Sequence, residues 1–288
     1  MKKPPFEAQA VSFLRGFGQI MLQESAVTGA LFLAGIATNS VLMAVGAIAG
    51  ALSGVVTARL CRCDADDIAR GWYGYNGALV GIALLVFHQP GAPGYALIVV
   101  GSALSTILLR VMLRRADTLP PYTAPFVLST WGMLAIADLA GIAGAAVAPS
   151  LHAGEILALL RGVGQVMFQD AWLAGLLFLF GLALHSRQAA AWALIGSALG
   201  LATARSLGYP EDLAAAGIFG FNGALTGIAL ADRFRGDAAA PLLGIVLSTI
   251  LTRGLQLAGI PALTAPFVLA SWAVALAVSR WPPALRRP

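Results

Sequence analysis

Pairs of polar residues recur at a nearly constant separation inside otherwise apolar sequence: Gln19 and Gln165, Gln23 and Gln169, Glu24 and Asp170, Asn76 and Asn222, Thr123 and Thr264. All but one of these pairs are uncharged. A glutamine side chain brings an acceptor and two donors, and a threonine hydroxyl gives or takes a hydrogen bond, so such a lining can replace water around a small, neutral, hydrogen-bonding solute. The competing explanation for any single pair is structural, because the same residue types tie helices together inside membranes. Tyr75 and Leu79, like Phe221 and Leu225, stand four apart and share a helix face. That spacing is also ordinary core. If two such faces oppose each other, they form a flat slot with an aromatic and an aliphatic wall on each side.

Other residues frame this set. Asn76 and Asn222 open short apolar segments, where an asparagine can cap orphan N–H groups. Pro120, Pro125, Pro261 and Pro266 bracket the two threonines and predict helix breaks there, freeing carbonyls that can face a cavity. Glu24 and Asp170 pose the sharpest choice. Carboxylates at membrane depth are candidate proton carriers, whereas their place between two apolar segments also suits a hydrated vestibule. His88, His152 and His185 are unrepeated and sit at segment ends, with no expected catalytic or ligand role.

The pairing reflects a chain written twice. Leu14-Arg-Gly-Phe-Gly-Gln19 through Glu24 returns as Leu160-Arg-Gly-Val-Gly-Gln165 through Asp170, and Gly71 through Leu84 returns as Gly217 through Leu230, both 146 residues later. Leu119-Pro-Pro-Tyr-Thr123-Ala-Pro-Phe126, with Trp131, returns as Ile260-Pro-Ala-Leu-Thr264-Ala-Pro-Phe267, with Trp272, at an offset of 141. Blocks repeated in one order define halves at 1–146 and 147–288, joined through the stretch ending at Pro149.

The elements that must position these residues follow from composition. Of 288 residues 59% are apolar and only 11% charged, against roughly 25% charged in soluble domains. With a mean hydropathy of +0.83 this predicts an all-α integral membrane protein without a soluble domain. Continuous rather than alternating apolar runs exclude a lipid-facing barrel. The net charge of +5 needs no nucleic acid, because Arg59, Arg62, Arg70, Arg110, Arg114, Arg115, Arg233 and Arg235 lie at segment ends, as cytoplasmic loops require. Residues 1–13 lack the apolar core of a cleaved signal peptide. Cys61 and Cys63 read as two free thiols in a polar loop. No nucleophile with a positioned base, metal cluster or nucleotide loop is visible, so neither an enzyme nor a cofactor is expected.

In the first half an amphipathic lead-in near 8–23 precedes apolar segments near 25–38, 41–60, 71–87, 95–113 and 123–145. The second half repeats them near 154–169, 171–184, 189–207, 215–231, 241–257 and 264–280. The segments opening at Gly71 and Gly217 are short and suit half-membrane, re-entrant helices. An odd number of crossings per half would invert the halves about an axis in the membrane plane and place the site between them, at the midplane.

The repeated blocks resemble the urea transporter family. The Leu-Pro-x-x-Thr-x-Pro-Phe pattern at 119–126 and 260–267 is similar to that family's motif, as is Gly-Phe-Asn-Gly-x-Leu at 74–79 and 220–225. The resemblance implies two inverted halves, each of about five transmembrane helices and one re-entrant pore helix, a single pore per subunit, a homotrimer in membrane lipid, and passive, channel-like passage of urea. Carried onto matching positions, it implies a filter of Gln19, Tyr75 and Leu79 from one half and Gln165, Phe221 and Leu225 from the other, with Thr123 and Thr264 at the centre. Two departures stand out: Tyr75 replaces the usual phenylalanine and adds a hydroxyl that needs a partner, and Ile260 replaces leucine. Both termini are expected on the cytoplasmic face, chosen by Lys2, Lys3, Arg286 and Arg287. The alternative is a proton-coupled transporter of urea or short-chain amides using Glu24 or Asp170.

Overall fold

The computed structural model describes residues 6–115, 119–145 and 154–279. Pro149, His152 and the charged ends with Lys2, Lys3, Arg286 and Arg287 lie outside these residues. The first stretch holds α1 (Phe6–Gln19), α2 (Ala26–Asn39), α3 (Val41–Leu60), α4 (Ala65–Ala69), α5 (Tyr75–Phe87), α6 (Ala92–Leu113) and α7 (Ala124–Leu139). The second holds α8 (Glu155–Gly164), α9 (Trp172–His185), α10 (Arg187–Ser206), α11 (Glu211–Ala215), α12 (Phe221–Arg233), α13 (Ala239–Leu257) and α14 (Ala265–Ser279). No strand occurs among the described residues, where the only sheet-like feature is an isolated bridge between His88 and Gly144. The apolar runs mark these helices to within a few residues, while α4 and α11, five residues each, fall below any hydrophobic period.

Local chemistry sets the boundaries. Ser40 ends α2 and starts α3, its hydroxyl accepting from the Met43 N–H, and Ser186 does the same between α9 and α10 for Ala189. Left-handed backbone at Leu22 and Phe168 (φ 62 and 60), and at Tyr122 and Leu263 (φ 46 each), stops the chain from continuing as one helix. Pro125 and Pro266 then enter α7 and α14 in their first turns, where a missing N–H costs nothing.

Packing is close enough to need glycine. α3 lies on α5, where a Cβ at Gly50 or Gly77 would strike the other's carbonyl, and Gly196 and Gly223 bring α10 and α12 together in the same manner. The main seam between the two stretches runs along α2 and α9. There Thr28 Oγ1 donates to Gly181 O at 2.9 Å, and the rings of Phe32 and Phe178 meet edge-on at 5.2 Å. A continuous apolar core passes through both stretches, with Phe17, Phe32, Phe126, Phe178 and Phe267 fully enclosed.

Among the described residues, α3, α6 and α13 are long and apolar enough to cross a membrane unaided, and α8 with α9 qualifies as a pair bent by 76°. α5, α7, α12 and α14 have 13 to 16 residues, or about 20–24 Å at 1.5 Å per residue, short of a hydrocarbon core of about 30 Å. The sequence suggests one short helix per half. The structure has three in each stretch: α2 and α9, of 14 residues each, and two that open at the repeated motifs; α7 starts where the sequence places it and ends at Leu139, six residues before the apolar segment near 123–145 does. The far ends of α5 and α7 are joined by backbone bonds, Gln89 N–H to Ala143 O and Ala145 N–H to Phe87 O.

Candidate functional site

The short helices α5, α7, α12 and α14 meet at their N-termini. The Asn76 carboxamide oxygen accepts the Phe126 N–H at 3.2 Å, and the Asn222 oxygen accepts the Phe267 N–H at the same distance. Phe126 is the third residue of α7 and Phe267 the third of α14, so both N–H groups would otherwise lack a partner. The asparagines therefore cap a neighbouring helix, not their own, whose starts at Gly74 and Gly220 carry no side-chain cap.

Between the two helix pairs lies a tight junction. Thr123 Oγ1 and Thr264 Oγ1 share a hydrogen bond of 2.6 Å, and both threonines are buried. Trp131 Nε1 donates to Pro261 O, and Trp272 Nε1 to Pro120 O, each at 2.8 Å. The carbonyls freed by the proline breaks are thus taken by tryptophans from the opposite stretch. Four helix N-termini face this point, each equivalent to about +0.5 charge, which disfavours cations and welcomes a carbonyl oxygen.

The glutamines divide by role. Gln19 Nε2 donates to Arg70 O at 3.0 Å and Gln165 Nε2 to Ala216 O at 3.1 Å. With its nitrogen committed, each side chain presents a carbonyl oxygen as the remaining acceptor. Both acceptors of those bonds precede a glycine at φ +83, Gly71 and Gly217, where a Cβ would run into the backbone nitrogen of Gly16 or Gly162. Gln23 and Gln169 instead bond within their own turns, to Met21 O and Met167 O, and are buried.

Gln19, Tyr75 and Thr123 come together on a cavity of about 210 Å³, with Trp72, Tyr122 and Phe267 completing its wall. The Tyr75 hydroxyl finds its partner in Tyr122 O at 2.6 Å, and the Tyr122 ring packs 4.9 Å from that of Phe267. A larger cavity of about 600 Å³ shares Gln19, Trp72 and Tyr122 and carries the charged side chains of Glu24, Arg70 and Asp232. Gln165, Phe221 and Thr264 border neither cavity. Leu79 and Leu225 are fully buried and border neither as well.

The carboxylates belong to the periphery of this arrangement. Glu24 pairs with Arg70 at 3.0 Å, with 37% of its side chain exposed, and Arg70 stacks 4.9 Å over Trp72. An ion pair so exposed adds little stability. Asp170 is exposed and accepts from Asn39 Nδ2 at 3.2 Å, and the same amide donates to Gln169 Oε1 at 3.0 Å. Cys61 and Cys63 are free thiols, and no metal-binding cluster occurs among the described residues. Sequence reasoning missed Trp131 and Trp272 as contributors, although both end the repeated motif. It had no signal for Arg70 or Asn39, which have no counterpart of the same type in the other half.

The sequence pattern described as urea transporter matches residues 10–279. Urea transporter 1 of Ovis aries is 28% identical over an alignment of 320 positions, which takes in 100% of this chain and 82% of the relative. The Rattus norvegicus protein of the same description is 29% identical with the same coverage. That of Mus musculus is 31% identical over 258 positions, 81% of this chain and 66% of the relative.

Proposed function

The chain belongs to the urea transporter family, and from that premise we propose that it passes urea down its gradient through a narrow slot between two inverted halves, 1–146 and 147–288. A multi-pass membrane transporter, it is no enzyme, so its work is selection and not bond making. Urea is flat and neutral, with four N–H donors and one strong acceptor. Each hydrogen bond it loses without replacement costs about 1–3 kcal/mol. Gln19 and Gln165 supply acceptors at the two ends of the slot, Tyr75, Leu79, Phe221 and Leu225 press on the faces of the solute, and Thr123 and Thr264 receive it at the centre. In the resting state the threonines satisfy each other. A rotation about one threonine side chain parts them, and the solute exchanges that single bond for one to each hydroxyl. Such an exchange keeps binding shallow, as rapid release requires.

The observation that carries this reading is the uncharged junction at the meeting of four helix N-termini, built from Thr123, Thr264, Asn76 and Asn222. It disfavours the proton-coupled alternative, because Glu24 and Asp170 are partnered at the periphery and not at the centre. Support for the inverted arrangement comes from matched bonds at matched spacings: Gln19 with Gln165, Trp131 with Trp272, Ser40 with Ser186. The larger cavity, rimmed by Arg70 and Arg233, faces the cytoplasm under the positive-inside rule. Both termini lie on that side, in the cytoplasmic membrane of a bacterial-type cell, and the subunits form a homotrimer.

Stopped-flow uptake into proteoliposomes tests the proposal. Urea equilibrates without accumulating, and neither a pH nor a sodium gradient alters the rate. Concentrative uptake that an uncoupler abolishes would overturn the channel reading in favour of the coupled transporter.

A further inference from the structure

We infer that Trp131 and Trp272 are reciprocal positioning residues that set the width of the slot and thereby its size selectivity. The inference rests on the proposed pore but on observations independent of its lining. The two loops carrying the central threonines, 119–123 and 260–264, both contain a residue at φ 46, a conformation unfavourable for a non-glycine residue that persists only when its surroundings hold it. Within its own stretch each loop is fixed at its helix side, by Ala124 N–H to Pro121 O and Ala265 N–H to Ala262 O, both near 3 Å, and at its left-handed residue, by Tyr75 Oη to Tyr122 O and Asn222 Nδ2 to Leu263 O. Across the junction, three hydrogen bonds hold the loops: the threonine pair, which a solute must break, and the two indole bonds, which it need not. Trp131 reaches Pro261, three residues before Thr264, and Trp272 reaches Pro120, three residues before Thr123. Each indole therefore clamps the opposite threonine loop while its own helix carries the facing one. When the threonines part during passage, the clamps return the loops to the same separation.

Removing the N–H, with the bicyclic ring lost in two variants and kept in a third, tests this. Trp131→Phe, Trp272→Phe and replacement of Trp131 by the isosteric benzothienyl-alanine, which has sulfur in place of the N–H, are compared in the full-length protein in proteoliposomes. The readout is the permeability of N-methylurea and acetamide relative to urea. The expected result is a ratio raised roughly threefold to tenfold in each protein, the scale of one hydrogen bond released, with assembly retained in the isosteric variant. A purely structural role would lower all fluxes together. Ratios within twofold of the unaltered protein, in variants that assemble normally, overturn the inference whatever happens to absolute flux. Failure of the unaltered protein to pass urea would instead overturn the underlying pore, and the clamp with it.

Discussion

Asn76 and Asn222 occupy matching places at the start of α5 and α12, and both cap the neighbouring short helix, yet their amide nitrogens differ. Asn222 Nδ2 donates to Thr252 Oγ1 at 3.1 Å and to Leu263 O at 3.2 Å. Asn76 Nδ2, equally buried, has no well-formed partner among the described residues. The carbonyl corresponding to Leu263 O is Tyr122 O, to which the Tyr75 hydroxyl donates. Phe221, standing where Tyr75 stands in the other stretch, has no hydroxyl to compete. Leu109 likewise stands where Thr252 stands in the other stretch, so two side-chain differences, the added Tyr75 hydroxyl and the absent threonine hydroxyl, separate the two buried networks. Backbone geometry is shared between the stretches, whereas polar satisfaction is settled locally.

The largest effect is expected where the stretches agree. Gly71→Ala and Gly217→Ala both force a side chain into φ +83 and against backbone. Each is expected to cost about 3 kcal/mol or more, seen as loss of monodisperse protein on extraction, and the two losses are expected to be alike. A well-behaved Gly217→Ala beside a failed Gly71→Ala would break the comparison at the level of the backbone.

Next come the asparagines. Asn222→Leu orphans Leu263 O and the Phe267 N–H, while Asn76→Leu orphans only the Phe126 N–H. The Asn222 variant is expected to be the less stable by about 1–2 kcal/mol in thermal unfolding of the purified protein, and equal values would show that the difference in partners carries no energy. The threonines share one bond, so Thr123→Val and Thr264→Val are expected to lower stability equally, and the double variant by no more than either single. Each single variant is expected to pass urea about 5- to 30-fold more slowly, for a barrier raised by about 1–2 kcal/mol.

The smallest effect sharpens the comparison most. Tyr75→Phe frees Tyr122 O and is expected to let it accept from Asn76 Nδ2, so its net cost is expected to stay within about 0.5 kcal/mol, below that of an ordinary buried hydrogen bond. In that background Asn76→Leu is expected to become more costly and to approach Asn222→Leu, short of it by the Thr252 bond for which Leu109 offers no equivalent. A cost unchanged by the Tyr75→Phe background would mean that the hydroxyl does not govern the Asn76 amide.

Much of this arrangement is legible in the residues. Apolar runs bounded by Ser40, Ser186 and the prolines mark the long helices, since a capping hydroxyl or a missing N–H acts within a few residues of where it sits. The pairing of Thr123 with Thr264 is legible because their motif occurs twice. The capping of α7 by Asn76 is not, because it depends on which helix ends meet in space. The same holds for the indole clamps, whose acceptors lie 130 and 152 residues away. Gln19 and Gln23 could not be ranked in advance: they lie four apart on one helical face, and only the left-handed turn at Leu22 folds Gln23 back onto Met21 O.

The seam between α2 and α9 has a consequence for biosynthesis. Thr28 meets Gly181, and Phe32 meets Phe178, across about 150 residues of chain. At roughly 5–20 residues per second, a ribosome needs about 8–30 s to make the second partner after the first. Until α9 arrives, the face of α2 that will meet it is bare, and in the bilayer that face must rest against lipid or against the insertion machinery. Thr28 fits this wait, since a threonine hydroxyl can turn back to a carbonyl of its own helix until Gly181 arrives. A charged or carboxamide side chain at that position would have no such refuge, and its burden would fall on the nascent chain long before it fell on the finished protein.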